Sequence, residues 1–100
     1  MISILDYDAG NIKSVEKAVQ YLGEEAVITR DRDVIMASDK VILPGVGSFG
    51  DAMNKIREYG LENVIYDFVD ADKPFLGICL GLQLLFKTSE ESPEATGLGI

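Results

Sequence analysis

Residues 74–83 read PFLGICLGLQ, and this stretch decides the fold. The apolar run 75–78 predicts a short buried strand, and residues 80–87 predict an apolar helix behind it. The single cysteine of the chain, Cys79, stands between them, with one glycine two residues before it and another two residues after it. Such spacing is typical of a nucleophile mounted on a sharp strand-to-helix turn, where glycines remove side chains that would collide. The segment therefore predicts an α/β fold with Cys79 at one edge of the sheet.

Cys79 is the candidate nucleophile. At a helix N-terminus the partial positive charge of the backbone favours a thiolate, and we expect the backbone N–H of Leu80 to be free to donate to an oxyanion. Gln83 lies four residues further on, one helical turn away on the same side. The alternative for Cys79 is an inert core residue, since free cysteine is among the most often buried residue types.

A second glycine-rich turn follows the apolar strand predicted at 40–43. Residues 44–50 read PGVGSFG, and two such turns on neighbouring parallel strands lie at the edge where α/β proteins bind ligands. Residues 45–50 formally match G-x-G-x-x-G, which keeps a nucleotide-binding domain open as an alternative. Against a dinucleotide site, the match follows the third predicted strand instead of the first, and Pro44 removes a backbone donor.

Strand and helix signals alternate along the chain. Strands are predicted at 2–5, 26–29, 40–43 and 75–78, helices at 12–22, 31–37, 49–59, 61–69 and 80–87, and a loop at 89–96. Short strands that are apolar on both faces and alternate with helices indicate a parallel sheet with helices on both faces, a three-layer α/β architecture. The apolar residues 97–100 stop abruptly, so we expect residues 1–100 to be the N-terminal portion of a single larger domain.

Charge and composition narrow the function. Nine basic against seventeen acidic residues give a net charge of −8, which argues against nucleic-acid or anionic-membrane partners. One cysteine cannot form an internal disulfide, no apolar run is long enough to cross a membrane, and the N-terminus has no signal-peptide pattern, so we expect a cytoplasmic protein. Asp6 and Asp8, like Asp31 and Asp33, are expected to be solvated or to cap helices and not to bind metal.

The chain contains no histidine. Ordinary zinc sites are therefore excluded, and no Cys-His or Ser-His pair can form within these residues. Any base that assists Cys79 must come from outside this chain. We expect no metal and no cofactor.

Taken together, these segments resemble the class I (triad) glutamine amidotransferases, over the whole length of the chain. Residues 7–11 (YDAGN) resemble the family's opening loop, 41–53 (VILPGVGSFGDAM) its oxyanion strand, and 73–86 (KPFLGICLGLQLLF) its nucleophile elbow. Within the family, the string 44–53 resembles most specifically the glutaminase subunits of imidazole glycerol phosphate synthases. The resemblance implies a flavodoxin-like fold whose C-terminal part is missing here.

The resemblance also implies a mechanism. Cys79 would attack the side-chain amide of glutamine and form a glutamyl thioester, with the oxyanion held by the backbone N–H groups of Val46 and Leu80. Gly47 and Gln83 would help to bind glutamine. The ammonia would pass to a TIM-barrel synthase (cyclase) subunit in a heterodimer, for histidine biosynthesis.

Four further expectations follow. Asn11 would face the synthase subunit. The His and Glu of the family's triad are absent, so the chain alone would be inactive, and a catalytically dead α/β docking module is the alternative. Cys79 is expected at positive φ. Without the partner, the Val46 N–H is expected to point away from Cys79, since the flanking glycines ease a peptide flip, and Leu80 would be the preset donor.

Overall fold

The computed structural model describes residues 1–10, 12–87 and 96–100. Within them, four strands and five helices follow in the order β1 (Ile2–Leu5), α1 (Ile12–Tyr21), β2 (Ala26–Thr29), α2 (Arg32–Ala37), β3 (Lys40–Leu43), α3 (Phe49–Glu58), α4 (Leu61–Asp70), β4 (Phe75–Gly77) and α5 (Leu80–Leu84). The strands form one parallel sheet in the order β2-β1-β3-β4. The predicted α/β fold class is confirmed.

Strand order places the two glycine-rich turns side by side. β3 and β4 are neighbours, and their register pairs Leu43 with Gly77, so both strands end at the same level. The turn after β3 and the turn after β4 therefore leave the same edge of the sheet, next to each other. This is the arrangement that the two glycine clusters predict.

The two faces of the sheet are covered unequally. Helices α2 to α5 enclose the larger apolar cluster on one face, whose fully buried members include Phe49, Met53, Ile56, Leu61 and Phe68. The other face carries a smaller cluster of Ile2, Ile4, Val19 and Ile42 under α1. An apolar groove of about 450 Å³ runs between α1 and the β3–β4 side of this face. Helices thus lie on both faces, as predicted, but among the described residues one layer is a single helix.

The last helix is shorter than predicted. α5 ends at Leu84 and not at residue 87, because backbone N–H groups from residues 97–100 donate to the carbonyls that a longer helix would use. The N–H groups of Leu98 and Ile100 donate to the carbonyls of Leu84 and Leu85, each at 2.8 Å. The loop predicted at 89–96 lies almost entirely outside the described residues.

Helix α2 shows how the acidic residues are used. The Asp31 carboxylate accepts hydrogen bonds from the backbone N–H groups of Asp33 at 2.8 Å and Val34 at 3.4 Å, which confirms its expected role as a helix cap. No helix in the described part of the chain has the length and apolar character needed to span a bilayer.

Candidate active site

Cys79 occupies the turn between β4 and α5 in a backbone conformation that few side chains adopt. Its φ is 55° and its ψ is −121°, so the expected positive φ is confirmed. The residue is exposed in this chain, unlike the core cysteine of the alternative. The turn therefore presents the thiol outward at the edge of the sheet.

Two glycines make this turn possible. A Cβ atom on Gly81 would collide with the carbonyl oxygen of Leu43 and lie 2.9 Å from its carbonyl carbon, and a Cβ on Gly77 would lie 2.7 Å from the carbonyl oxygen of Gly81. Because all of these are backbone atoms, they cannot move aside as a flexible side chain would. The predicted reason for both glycines, close backbone approach, is confirmed.

The turn after β3 is joined to the cysteine turn by backbone hydrogen bonds. The Ile78 N–H donates to the carbonyl of Leu43 at 3.0 Å, and the Leu80 N–H donates to the carbonyl of Gly45 at 3.0 Å. A Cβ atom on Gly45 would lie 3.0 Å from the Gly81 nitrogen. The two glycine-rich turns thus form one continuous backbone surface around Cys79.

This arrangement corrects one expectation about Leu80. Its N–H was expected to be free for an oxyanion, but it is occupied by the Gly45 carbonyl. The described peptide bonds are trans, and in a trans peptide the N–H points opposite to the C=O. The Val46 N–H therefore points away from Leu80, in agreement with the expected orientation. In this state the Leu80 N–H is occupied and the Val46 N–H points away from it.

The other predicted site residues lie at the same edge. Val46 is 49% exposed, and Gly47 has a φ of 101° with open space around its Cα, so glycine is needed there for its backbone angle and not for lack of room. Gln83 is exposed on α5, one turn beyond Cys79. Asn11 lies outside the described residues.

Sequence reasoning missed the role of Tyr7. This residue follows β1, is only 3% exposed, and its hydroxyl donates a hydrogen bond to the carbonyl oxygen of Pro44. Burial raises the pKa of Tyr7 to about 12, so the phenol stays protonated and can donate. The position after β1, which adjoins β3 in the sheet, was the available signal.

The next residue, Asp8, is held by three partners. It has a φ of 68° and accepts a hydrogen bond from the Tyr59 hydroxyl. Its carboxylate also pairs with Arg30 at 3.4 Å and with Lys55 at 3.5 Å. The Tyr59 hydrogen bond first, and then the charges of Lys55 and Arg30, hold the pKa of Asp8 below its usual value. The loop that carries Tyr7 is therefore anchored on α3 and at the end of β2.

The chemistry available at this edge is limited but distinct. There is an exposed thiol and, next to its turn, a peptide at 45–46 whose N–H could be turned over. No histidine exists in the chain to act as a base. With the 45–46 peptide turned over, the arrangement could hold and polarise a carbonyl for attack by a thiolate, with proton transfer supplied from elsewhere.

Comparison with known proteins agrees with this geometry. Curated proteins named imidazole glycerol phosphate synthase subunit HisH are similar over the whole of this chain: 54% identical in Rhodopirellula baltica, 52% in Bacillus cereus strain ATCC 14579 and 51% in Methanocaldococcus jannaschii. The chain covers 49%, 48% and 50% of these relatives. It thus spans about half the length of the curated relatives that it matches.

A solved structure and a family model point the same way. The structure, a crystal structure of a glutamine amidotransferase, matches with a TM-score of 0.82 at 27% identity, over 99% of this chain and 52% of that protein. The family model described as glutamine amidotransferase class-I matches residues 3–94. The chain therefore belongs to the class-I glutamine amidotransferase family.

Proposed function

We propose that this chain is the N-terminal half of the glutaminase subunit of an imidazole glycerol phosphate synthase. The whole subunit would hydrolyse glutamine and deliver ammonia to a TIM-barrel synthase subunit, in the cytoplasm, for histidine biosynthesis. The observation that carries the proposal is the outward thiol of Cys79 at φ 55°, beside the 45–46 peptide. Relatives that are 51% to 54% identical and named as this subunit support it.

The proposed reaction begins when the Cys79 thiolate attacks the amide carbon of the glutamine side chain. A C–S bond forms and the carbonyl oxygen becomes an oxyanion. Collapse of this intermediate breaks the C–N bond and releases ammonia, whose departure needs a proton from a general acid. Water then attacks the thioester and releases glutamate. Since the chain has no histidine, the acid and base belong to a part of the protein outside residues 1–100.

We propose that the oxyanion is held by the N–H groups of Val46 and Leu80, after the Gly45–Val46 peptide has turned over. In the orientation seen here, the Leu80 N–H donates to the Gly45 carbonyl, and the Val46 N–H points away from Leu80. One rotation of this peptide would free the Leu80 N–H and turn the Val46 N–H toward the oxyanion. Each lost oxyanion donor costs about 100- to 1,000-fold in rate, so the resting orientation is expected to be nearly inactive. Binding of the synthase subunit and its ligand would favour the rotated state.

The remaining site residues have proposed roles in binding. Gly47, in the turn after β3, and Gln83, one helical turn beyond Cys79 on α5, would help to hold glutamine. Asn11 would lie toward the synthase subunit. These assignments rest on the family resemblance of the segments that carry them.

The test is a pair of substitutions at Val46 in the full-length subunit, assayed with its synthase partner. Val46→Pro removes the N–H, and Val46 is not among the described residues with positive φ; Val46→Ala keeps the N–H and serves as the control. We expect Val46→Pro to lower partner-stimulated glutamine hydrolysis about 100- to 1,000-fold, with Cys79 still labelled by iodoacetamide.

Full activity in Val46→Pro would overturn the proposed donor. Hydrolysis that survives Cys79→Ala would overturn Cys79 as the nucleophile. Absence of hydrolysis in the unaltered subunit with its partner would leave the docking module as the better description.

A further inference from the structure

Tyr7 contacts the backbone directly before the Gly45–Val46 peptide, which is the hinge of the proposed rotation. Its hydroxyl donates to the carbonyl of Pro44, one peptide before the Gly45–Val46 bond. The same oxygen would collide with a Cβ atom on Gly45. Tyr7 therefore contacts both the last fixed carbonyl of the β3 exit and the Cα about which the next peptide rotates.

Two successive carbonyls are thus held by donors in this orientation. The Pro44 carbonyl accepts from the Tyr7 hydroxyl, and the Gly45 carbonyl accepts from the Leu80 N–H. The loop that carries Tyr7 is itself fixed, since Asp8 accepts from Tyr59 and pairs with Lys55. The hinge is consequently supported from the β1 side and from the α5 side at the same time.

We propose that Tyr7 is a positioning residue that clamps the oxyanion strand in its resting orientation. It would do so through the hydrogen bond to Pro44 and the contact with the Gly45 Cα. This inference rests on the proposed function and deepens it, because it assigns a residue that sets how strongly the site depends on its partner. Rotation of the 45–46 peptide changes the ψ angle of Gly45, and the Tyr7 hydroxyl holds the preceding peptide and leaves little room beside the Gly45 Cα, so the clamp favours the inactive state.

The expected effect of removing the clamp is a population shift. A single hydrogen bond contributes a free energy that corresponds to about a two- to tenfold change in an equilibrium constant. Tyr7→Phe keeps the ring in the core and deletes only the hydroxyl. The rotated state would therefore become about two- to tenfold more populated.

The experiment measures this shift by amide hydrogen exchange at Leu80 in the full-length subunit without its partner. The Leu80 N–H is protected by the Gly45 carbonyl, so its exchange reports opening of the resting strand. We expect about two- to tenfold faster exchange at Leu80 in Tyr7→Phe. Exchange at Val41, within β3, should change little. Partner-free glutamine hydrolysis should rise by a similar factor, and stimulation by the partner should fall.

Tyr66→Phe is the matched control. The Tyr66 hydroxyl also donates to a backbone carbonyl, that of Leu98 at 2.5 Å, but it lies away from the hinge. Unchanged Leu80 exchange in Tyr7→Phe, or equal acceleration in Tyr66→Phe, would overturn the clamp. Absence of glutaminase activity in the wild type, with Leu80 exchange responding only to Tyr7→Phe, would overturn the proposed function and support the clamp.

Discussion

At the scale of single residues, Cys79 combines an exposed thiol with an unfavourable backbone conformation. A non-glycine residue in a sparsely populated region of φ and ψ costs roughly 1–3 kcal/mol, and Cys79, at φ 55° and ψ −121°, is in such a region. The close backbone contacts at Gly77 and Gly81 hold the turn in this conformation. The strain is a property of the position and not of the thiol.

Replacement of this residue should therefore separate stability from activity. We expect Cys79→Gly to raise the free energy of unfolding by about 1 kcal/mol relative to Cys79→Ala, since glycine relieves the strain and alanine retains it. Urea denaturation of the full-length protein measures the difference, and both variants should lack glutamine hydrolysis. Equal stability of the two variants would show that the turn is not strained.

At the scale of elements, the contact between the β3 exit and α5 allows no side chain. We expect Gly81→Ala to lower the free energy of unfolding by at least about 2 kcal/mol, since its Cβ would meet the backbone of Leu43. Gly10→Ala is the comparison, because a Cβ there would meet only a Val46 methyl group at 3.9 Å. Thermal unfolding of both variants tests this, and similar melting temperatures would contradict the close approach.

The elements themselves follow largely from local patterns. The alternation of apolar strands and amphipathic helices predicts the parallel sheet, and the glycines around Cys79 predict the turn that it occupies. The early end of α5 could not be predicted, because it depends on backbone from 97–100 that returns to the helix from a distance. The occupied N–H of Leu80 could not be predicted for the same reason. The orientation of the Gly45–Val46 peptide depends on a contact between two separate turns, and residue types do not encode it. The function was inferred from the resemblance to a family and not from the pattern alone.

At the scale of the whole molecule, the charges around Asp8 join three parts of the fold. Asp8 follows β1, Arg30 follows β2, and Lys55 and Tyr59 belong to α3 and its end. Because the pKa of Asp8 is lowered in the folded state, its ionised form stabilises the fold above its unfolded pKa of about 3.9. That contribution is lost as the pH falls through the lower folded value.

The acid dependence of stability should change accordingly. We expect the free energy of unfolding of the wild type to fall more steeply between pH 5 and about pH 2 than that of Asp8→Asn, which carries no titrating group at this position. Urea denaturation at a series of pH values measures both slopes. Asp72→Asn, at another exposed aspartate with positive φ, is the control, and an equal effect there would contradict a specific role for Asp8.

The bond between the Leu80 N–H and the Gly45 carbonyl also bears on timing. Under the proposed switch, the resting and active sites differ by one peptide plane, without closure of a lid or movement of a domain. Local backbone motions of this kind take about nanoseconds to microseconds, whereas domain closures take about microseconds to milliseconds. The switch can then re-equilibrate many times within one catalytic cycle. Its control over the rate would then lie in the fraction of time that the peptide spends turned over, and the proposed release of ammonia would follow the state of the synthase from one turnover to the next.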